Sequence, residues 1–267
     1  MADMPAIGFG TYLMRGEDCV TAVRDAIEVG YRLIDTAALY DNEQDVGQAL
    51  RESGVPREEL FVTTKVRGRS HGFDEAQEAC RESLRKLGLD YVDLLLIHWP
   101  NPQNERYIDT WEAMVELKED GLVANIGVSN FTPNTLDRII ERSGVTPFVN
   151  QIELHPYFQQ EAMRELHAKL GITTQAWSPL GRKSDLLTDP VLVDIAREHG
   201  VSTAQVALRW SLQLGNVPIP KSTKPERIRD NFDVFDFELN EGDMLAIAAL
   251  ERGRIDAKLD PEVMEVL

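Results

Sequence analysis

Short apolar runs alternate with longer stretches of 3.6-residue periodicity along the whole chain. Strand-like segments fall at about 6–10, 31–35, 60–64, 92–97, 123–128, 147–151, 172–177 and 216–219, with helical patterns between them. Eight strand-then-helix units predict a parallel sheet closed into a barrel. The runs DLLLI and RLIDT are continuously apolar, as expected of strands covered on both faces, whereas antiparallel sandwiches alternate more cleanly. Helix starts are marked by Thr132-Pro133, Asp189-Pro190 and Lys224-Pro225, and by Ser202 with Gln205, a capping box. Gly88, Gly144, Gly200 and Gly215 fit C-terminal caps. Two further helical patterns, at about 190–199 and 240–251, exceed the eightfold count. The expected class is α/β, a (β/α)8 TIM barrel with two extra helices.

Length agrees with one such unit, since 267 residues, 43% of them hydrophobic, are close to the roughly 250 of a typical barrel. No Pro/Gly/Ser-rich linker divides the chain, so 1–267 reads as a single domain. Cys19 and Cys80 have no metal-type spacing, and Cys80 lies on the apolar stripe Ala76, Cys80, Leu84, Leu87 of a helix. Both are expected as buried thiols in a reducing cytosol. The start MADMPAIGFG carries no basic-then-apolar leader, and no apolar run approaches the roughly 20 residues of a membrane span. A cytoplasmic protein without a membrane partner is expected. The net charge of −17, from 45 acidic and 28 basic residues, argues against nucleic acid as a partner. Only 8 of the basic residues are lysines, against 20 arginines, a lysine-poor acidic excess that reads as salt adaptation.

Chemistry concentrates at strand ends: Asp35 and Tyr40 in YRLIDTAALY, Lys65 in LFVTTK and His98 in DLLLIHWP. In a parallel barrel these ends converge on one face, where active sites lie. Taken singly, Asp35 could cap a helix, Tyr40 and Trp99 could be core or rim aromatics, and Lys65 a surface charge. Together they form a proton donor aimed at a carbonyl. A free tyrosine, with a pKa of about 10, is a poor acid, and a neighbouring Lys65 ammonium would lower that value. Asp35 would keep Lys65 charged, and neutral His98 could donate from the opposite side. No nucleophile motif of the G-x-S-x-G or H-E-x-x-H kind is present, and no metal set is expected. The electron pair must then come from a hydride-donating cofactor. G-F-G-T-Y-L at Gly8 lacks the third glycine and doubly wound surroundings of a dinucleotide fingerprint.

The segments G-Y-R-L-I-D-T-A-x-x-Y, T-T-K, L-L-x-I-H-W-P, G-V-S-N-F, N-Q-x-E-x-H-P, S-P-L-G and I-P-K-S with R-I-R-D-N resemble the aldo-keto reductase superfamily in order and spacing, from Met4 to about residue 250. Short loops and Trp177 before S-P-L-G are most similar to the prokaryotic 2,5-diketo-D-gluconate reductase type. The resemblance implies NADPH-dependent carbonyl reduction with Asp35, Tyr40, Lys65 and His98 as the catalytic tetrad. It assigns Ser129, Asn130 and Gln151 to the nicotinamide carboxamide and Trp177 to the ring, with Ser178 and Leu180 in the same cofactor set. Lys221, Ser222, Thr223, Arg227 and Asn231 match the segment that holds the 2′-phosphate and adenine. Three departures are visible: Trp177 where tyrosine is more common, Asp230 where glutamate is, and an N-terminal β-hairpin reduced or absent before Met4.

Tyr12, Trp99 and Trp177, with loop residues near Asn101 and Arg182, are expected around a small polar carbonyl substrate. A monomer is expected. His155 before Pro156 reads as a structural histidine, and His71, His167 and His199 as exposed ones; Met114 and Met163 lie on apolar helical stripes. Two other readings compete: a nicotinamide-binding redox sensor or partner module on the same fold, and an isomerase or aldolase using Lys65 as a Schiff base. A broken tetrad would mark the first, and Asp35 disfavours the second.

Overall fold

The computed structural model describes residues 3–266. Eight strands form one parallel sheet in sequence order: β1 (Gly8–Gly10), β2 (Leu33–Asp35), β3 (Phe61–Val66), β4 (Val92–Ile97), β5 (Val123–Ser129), β6 (Val149–Glu153), β7 (Thr173–Trp177) and β8 (Val217–Ile219). Between them run α1 (Gly16–Val29), α2 (Glu43–Glu52), α3 (Phe73–Leu87), α4 (Tyr107–Glu119), α5 (Pro133–Ser143), α6 (Glu161–Leu170) and α8 (Thr203–Gln213), with α9 (Pro225–Phe232) after β8. The two helices beyond the eightfold count are α7 (Pro190–His199), inserted before α8, and α10 (Glu241–Ala248). At the β1/β8 seam the Gly10 N–H donates to the Pro220 carbonyl at 2.9 Å. A Cβ on Gly8 would come within 2.5 Å of both Ile219 and Leu33, so only glycine allows that close approach.

Strand periodicity decides which side chains enter the barrel. Leu33, Phe61, Leu94, Leu96, Val149, Val217 and Ile219 fill its interior, while Ile34, Val62, Leu95, Ile97, Ile126 and Val128 point outward into the layer beneath the helices. The sequence caps appear where expected: prolines open α5, α7 and α9, and the Ser202–Gln205 capping box opens α8. Gly88, Gly144 and Gly200 close α3, α5 and α7 in the left-handed region, and Gly215 lies just past α8. Residues 3–7 contain no strand; Met4 packs against the interior cluster, and its Sδ accepts from Gln175 Nε2 at 3.2 Å.

Cys19 and Cys80 are free and buried, and burial pushes each thiol up to about 12. Met114 is buried and Met163 packs against the core. The expectation of exposed histidines fails. His167 on α6 is buried, with Nε2 3.0 Å from Asn150 Nδ2 and Nδ1 2.8 Å from Thr174 Oγ1, because that helix face meets polar outward positions of β6 and β7. His199 is half-buried against Asp243 of α10 at 2.8 Å, and His71, after the 3-10 turn that follows β3, is buried. His155 is structural as expected, with Nε2 3.1 Å from Glu153 Oε1. Among the described residues no helix is long and apolar enough to cross a membrane.

Candidate active site

The inward parity that places Leu33, Phe61, Leu94 and Leu96 in the barrel continues to the carboxyl ends of the strands. Two residues beyond Leu33 stands Asp35, four beyond Phe61 stands Lys65, and two beyond Leu96 stands His98. Tyr40 arrives from the β2–α2 connection, on a single 3-10 turn, Ala38–Tyr40. Lys65 Nζ donates to Asp35 Oδ1 at 2.6 Å and to the Thr36 carbonyl at 3.0 Å. It lies 5.1 Å from the centre of the Tyr40 ring, and that ring meets His98 edge-on at 5.5 Å and Tyr12 at 5.2 Å. The four residues therefore converge although 63 positions separate the outermost two in sequence.

Their protonation follows from burial. The Tyr40 phenol is held well above its ordinary value by burial, by the Asp35 carboxylate and by Tyr12. This corrects the expectation of a lowered tyrosine: burial, ahead of the Asp35 carboxylate, outweighs any pull of the Lys65 charge on the phenolic proton. Tyr40 is thus a phenol at neutral pH, the form that can donate. Burial pulls Lys65 down from its usual range, opposed by the charge and hydrogen bond of Asp35. Burial first, then repulsion from Lys65 and His71, holds His98 well below the ordinary imidazole value, so it is neutral.

A second layer locks this group. Gln151 Nε2 donates to Asp35 Oδ2 at 2.8 Å and to Gln175 Oε1 at 3.0 Å. Ser129 Oγ donates to the Gln151 carbonyl at 2.8 Å. Asn130, left-handed at φ 62°, donates to the His98 carbonyl at 3.1 Å and accepts from Trp177 Nε1 at 2.8 Å. Trp177 is thereby tied to the end of the strand carrying Ser129. With both Gln151 and Asn130 donors engaged, Gln151 Oε1 is left to accept from an amide group.

The cavity above these residues measures about 560 Å³. Its walls include Tyr12, Tyr40, His98, Trp99 and Trp177, together with Ser129, Asn130, Gln151, Ser178, Leu180 and Lys221 from the sites read in the sequence. Ser222 and Asn231 are buried, whereas Thr223, Lys224 and Arg227 are exposed around the first turn of α9. Ser222 Oγ accepts from the Lys224 N–H at 3.1 Å. Among the described residues Lys221, Lys224 and Arg227 enter no ion pair, while Arg57, Arg106 and Arg138 all do. Three unpaired cations thus gather at one helix start in a strongly acidic protein. No cluster able to hold a metal ion occurs among the described residues.

The Aldo/keto reductase family model matches residues 6–252. The chain belongs to the aldo/keto reductase family. It is 54% identical over 248 residues to 2,5-diketo-D-gluconic acid reductase B from a Corynebacterium species, covering 93% of this chain and 90% of that protein. The crystal structure of an aldo/keto reductase from Brucella melitensis superposes with a TM-score of 0.90 at 50% identity, covering 93% of this chain and 95% of the other. A Gox0644 variant solved in complex with NADPH superposes at 0.93 with 45% identity, covering 98% and 95%. As a member of this family the protein is an NAD(P)H-dependent oxidoreductase acting on carbonyl compounds.

Other parts of this reductase's site were not readable as such. Asn101, expected at the substrate mouth, is buried: its Nδ2 donates to the Val266 carbonyl at 2.8 Å and its Oδ1 accepts from the Val266 N–H at 3.0 Å. It secures the C-terminal segment, whose Leu259, Met264 and Val266 close one side of the cavity. That segment lies beyond the family match and has neither strand nor helix periodicity, so only tertiary contacts reveal it. Arg182 does reach the mouth, its guanidinium 5.4 Å from the Tyr12 ring centre, and Lys183 lines the cavity beside it.

Proposed function

We propose that this protein, acting as one domain over 1–267, reduces a small polar aldehyde or ketone to the alcohol with NADPH. The observation that carries the reading is the buried Lys65–Asp35 pair beneath a protonated Tyr40 and a neutral His98, all at one end of a cavity of about 560 Å³. When bound, the cofactor supplies the hydride. Gln151 Oε1, Ser129 and Asn130 would orient its carboxamide and Trp177 its ring, with Ser178 and Leu180 along the same wall. Tyr40 then hands its proton to the substrate oxygen as negative charge develops there, and His98 donates to the same oxygen. Two fixed donors of this kind can each supply a few kcal/mol. Lys65 steadies the charge left on Tyr40 and is itself kept cationic by Asp35. Tyr12 and Trp99, with Trp177, form the apolar walls that exclude water and hold a small substrate.

An intact tetrad supports an enzyme over a redox sensor or docking module. The Lys65 amine, buried and engaged by Asp35 and Thr36, disfavours a Schiff-base mechanism. We read the protein as a cytoplasmic monomer. Salt adaptation, read from the net charge of −17, predicts a melting temperature that rises between dilute buffer and molar KCl as screening weakens repulsion between carboxylates. A flat or falling melting temperature over that range overturns it.

Preference for NADPH over NADH rests on the unpaired Lys221, Lys224 and Arg227 at the N-terminus of α9, with Ser222 and Thr223 beside them and Asn231 one turn on. Free N–H groups and cations at a helix start favour a phosphate. Arg227→Ala is expected to remove one charge-assisted contact, about 1.5–3 kcal/mol, and so to weaken NADPH binding at least about tenfold with little change for NADH. Fluorescence titration with both cofactors checks this, and equal losses for the two contradict it.

A further inference from the structure

A neutral imidazole carries one proton, and what one ring nitrogen meets decides which nitrogen holds it. For His98 to donate into the cavity the proton must sit on Nε2, so Nδ1 must face a donor. Nδ1 of His98 is buried and has no hydrogen-bond partner. Buried polar atoms are nearly always paired, so each exception marks a bound water, strain or a function. His71, five residues past β3, is another such group: it is 1% exposed, and neither of its ring nitrogens has a partner.

Both histidines follow the carboxyl ends of neighbouring strands. β3 and β4 pair in parallel with Val66 opposite Ile97, and the His98 N–H donates to the Val66 carbonyl at 3.0 Å. His71 follows β3 after one 3-10 turn, its N–H bonded to the Gly68 carbonyl at 3.1 Å. Burial and Arg106 hold the His71 ring at a pKa of about 4, so it is neutral and has one N–H to give. The charged groups that act on the two rings are Lys65 and Arg106, and no carboxylate is among them. No carboxylate is therefore on hand to draw the His98 proton to Nδ1.

We propose that His71 is a positioning residue for His98: its N–H, relayed through one bound water, donates to His98 Nδ1 and fixes the His98 proton on Nε2, facing the substrate oxygen. The rings do not bond directly, and a single water has suitable partners in the two unpaired nitrogens. No covalent or redox step is involved. The proposal rests on the reductase reading, but its primary readout does not need turnover.

The test is two-bond nitrogen–proton correlation NMR on the full chain labelled with [15N]histidine, with His98 assigned from a His98→Asn spectrum. The expected wild-type spectrum shows His98 as a pure Nε2–H tautomer. His71→Leu should give a mixture of tautomers and lower kcat for carbonyl reduction at least about tenfold, since a misplaced imidazole proton disables a catalytic histidine. The NADPH Kd should not change. His71→Gln, which keeps a donor, should restore the Nε2–H tautomer and most of kcat. An Nδ1–H wild type, or a His71→Leu variant with an unaltered His98 spectrum, overturns the proposal. If His71→Leu fails to fold, the wild-type spectrum and His71→Gln decide: loss of the Nε2–H tautomer in a folded Gln variant counts against it. Absence of carbonyl reduction in the wild type would instead fault the reductase reading and leave the tautomer result standing.

Discussion

Tyr40→Phe should lower turnover in carbonyl reduction by at least about a hundredfold, the usual scale for loss of a general acid. The substitution removes one oxygen and leaves the ring in its edge contacts with Tyr12 at 5.2 Å and His98 at 5.5 Å. Packing, and with it the melting temperature, should hardly move. NADPH binding should persist, because the residues proposed to hold the cofactor lie on β5, β6, β7 and α9. His98 remains as a donor, but it is neutral, and giving up its one proton would leave a buried imidazolate. Steady-state kinetics beside a cofactor titration separates the two effects. A variant with near-wild-type turnover would remove Tyr40 from the mechanism.

Asp35→Ala should cost both activity and stability. The carboxylate accepts from Lys65 through Oδ1 and from Gln151 through Oδ2, and its loss leaves a wholly buried ammonium without a counter-charge. Breaking one side of a buried ion pair costs about 3–5 kcal/mol, read as a melting temperature lowered by roughly 10 °C. Replacing both charges, in Asp35→Leu with Lys65→Met, should recover much of that stability while activity stays lost, since apolar pairs of similar volume often substitute for a buried ion pair. Chemical denaturation of the wild type, the single variant and the double variant checks this. Equal destabilisation in the single and double variants would mean that the pair is not an isolated electrostatic unit.

Much of the barrel could be read from strand periodicity alone. The site is expected from the place of its residues at strand ends, and because side chains alternate between faces, Leu33 and Asp35, Phe61 and Lys65, and Leu96 and His98 share the interior, which gathers three of its four members. The extra helices at Pro190 and Glu241 were legible through their periodicity, and α7 also through the proline at its start. What could not be read depends on partners distant in sequence. His71 and His167 look like solvated polar residues until the barrel is packed around them. Asn101 looks like a mouth residue until Val266 is seen bonded to both ends of its carboxamide. The direction of the Tyr40 shift depends on packing in the same way: the sequence places Lys65 and its partner Asp35 near the phenol, but only the structure shows how completely Tyr40 is buried, and burial is the larger effect.

The central claim, hydride transfer to a carbonyl with proton delivery from Tyr40, is tested most directly by incubating the wild-type protein with a panel of small aldehydes and ketones and NADPH deuterated at nicotinamide C4. The account predicts alcohols carrying deuterium on the former carbonyl carbon, in step with NADPH consumption, and a collapse of both in Tyr40→Phe. NADPH that is bound but not consumed across the panel, or equal deuterium transfer by wild type and Tyr40→Phe, would contradict it.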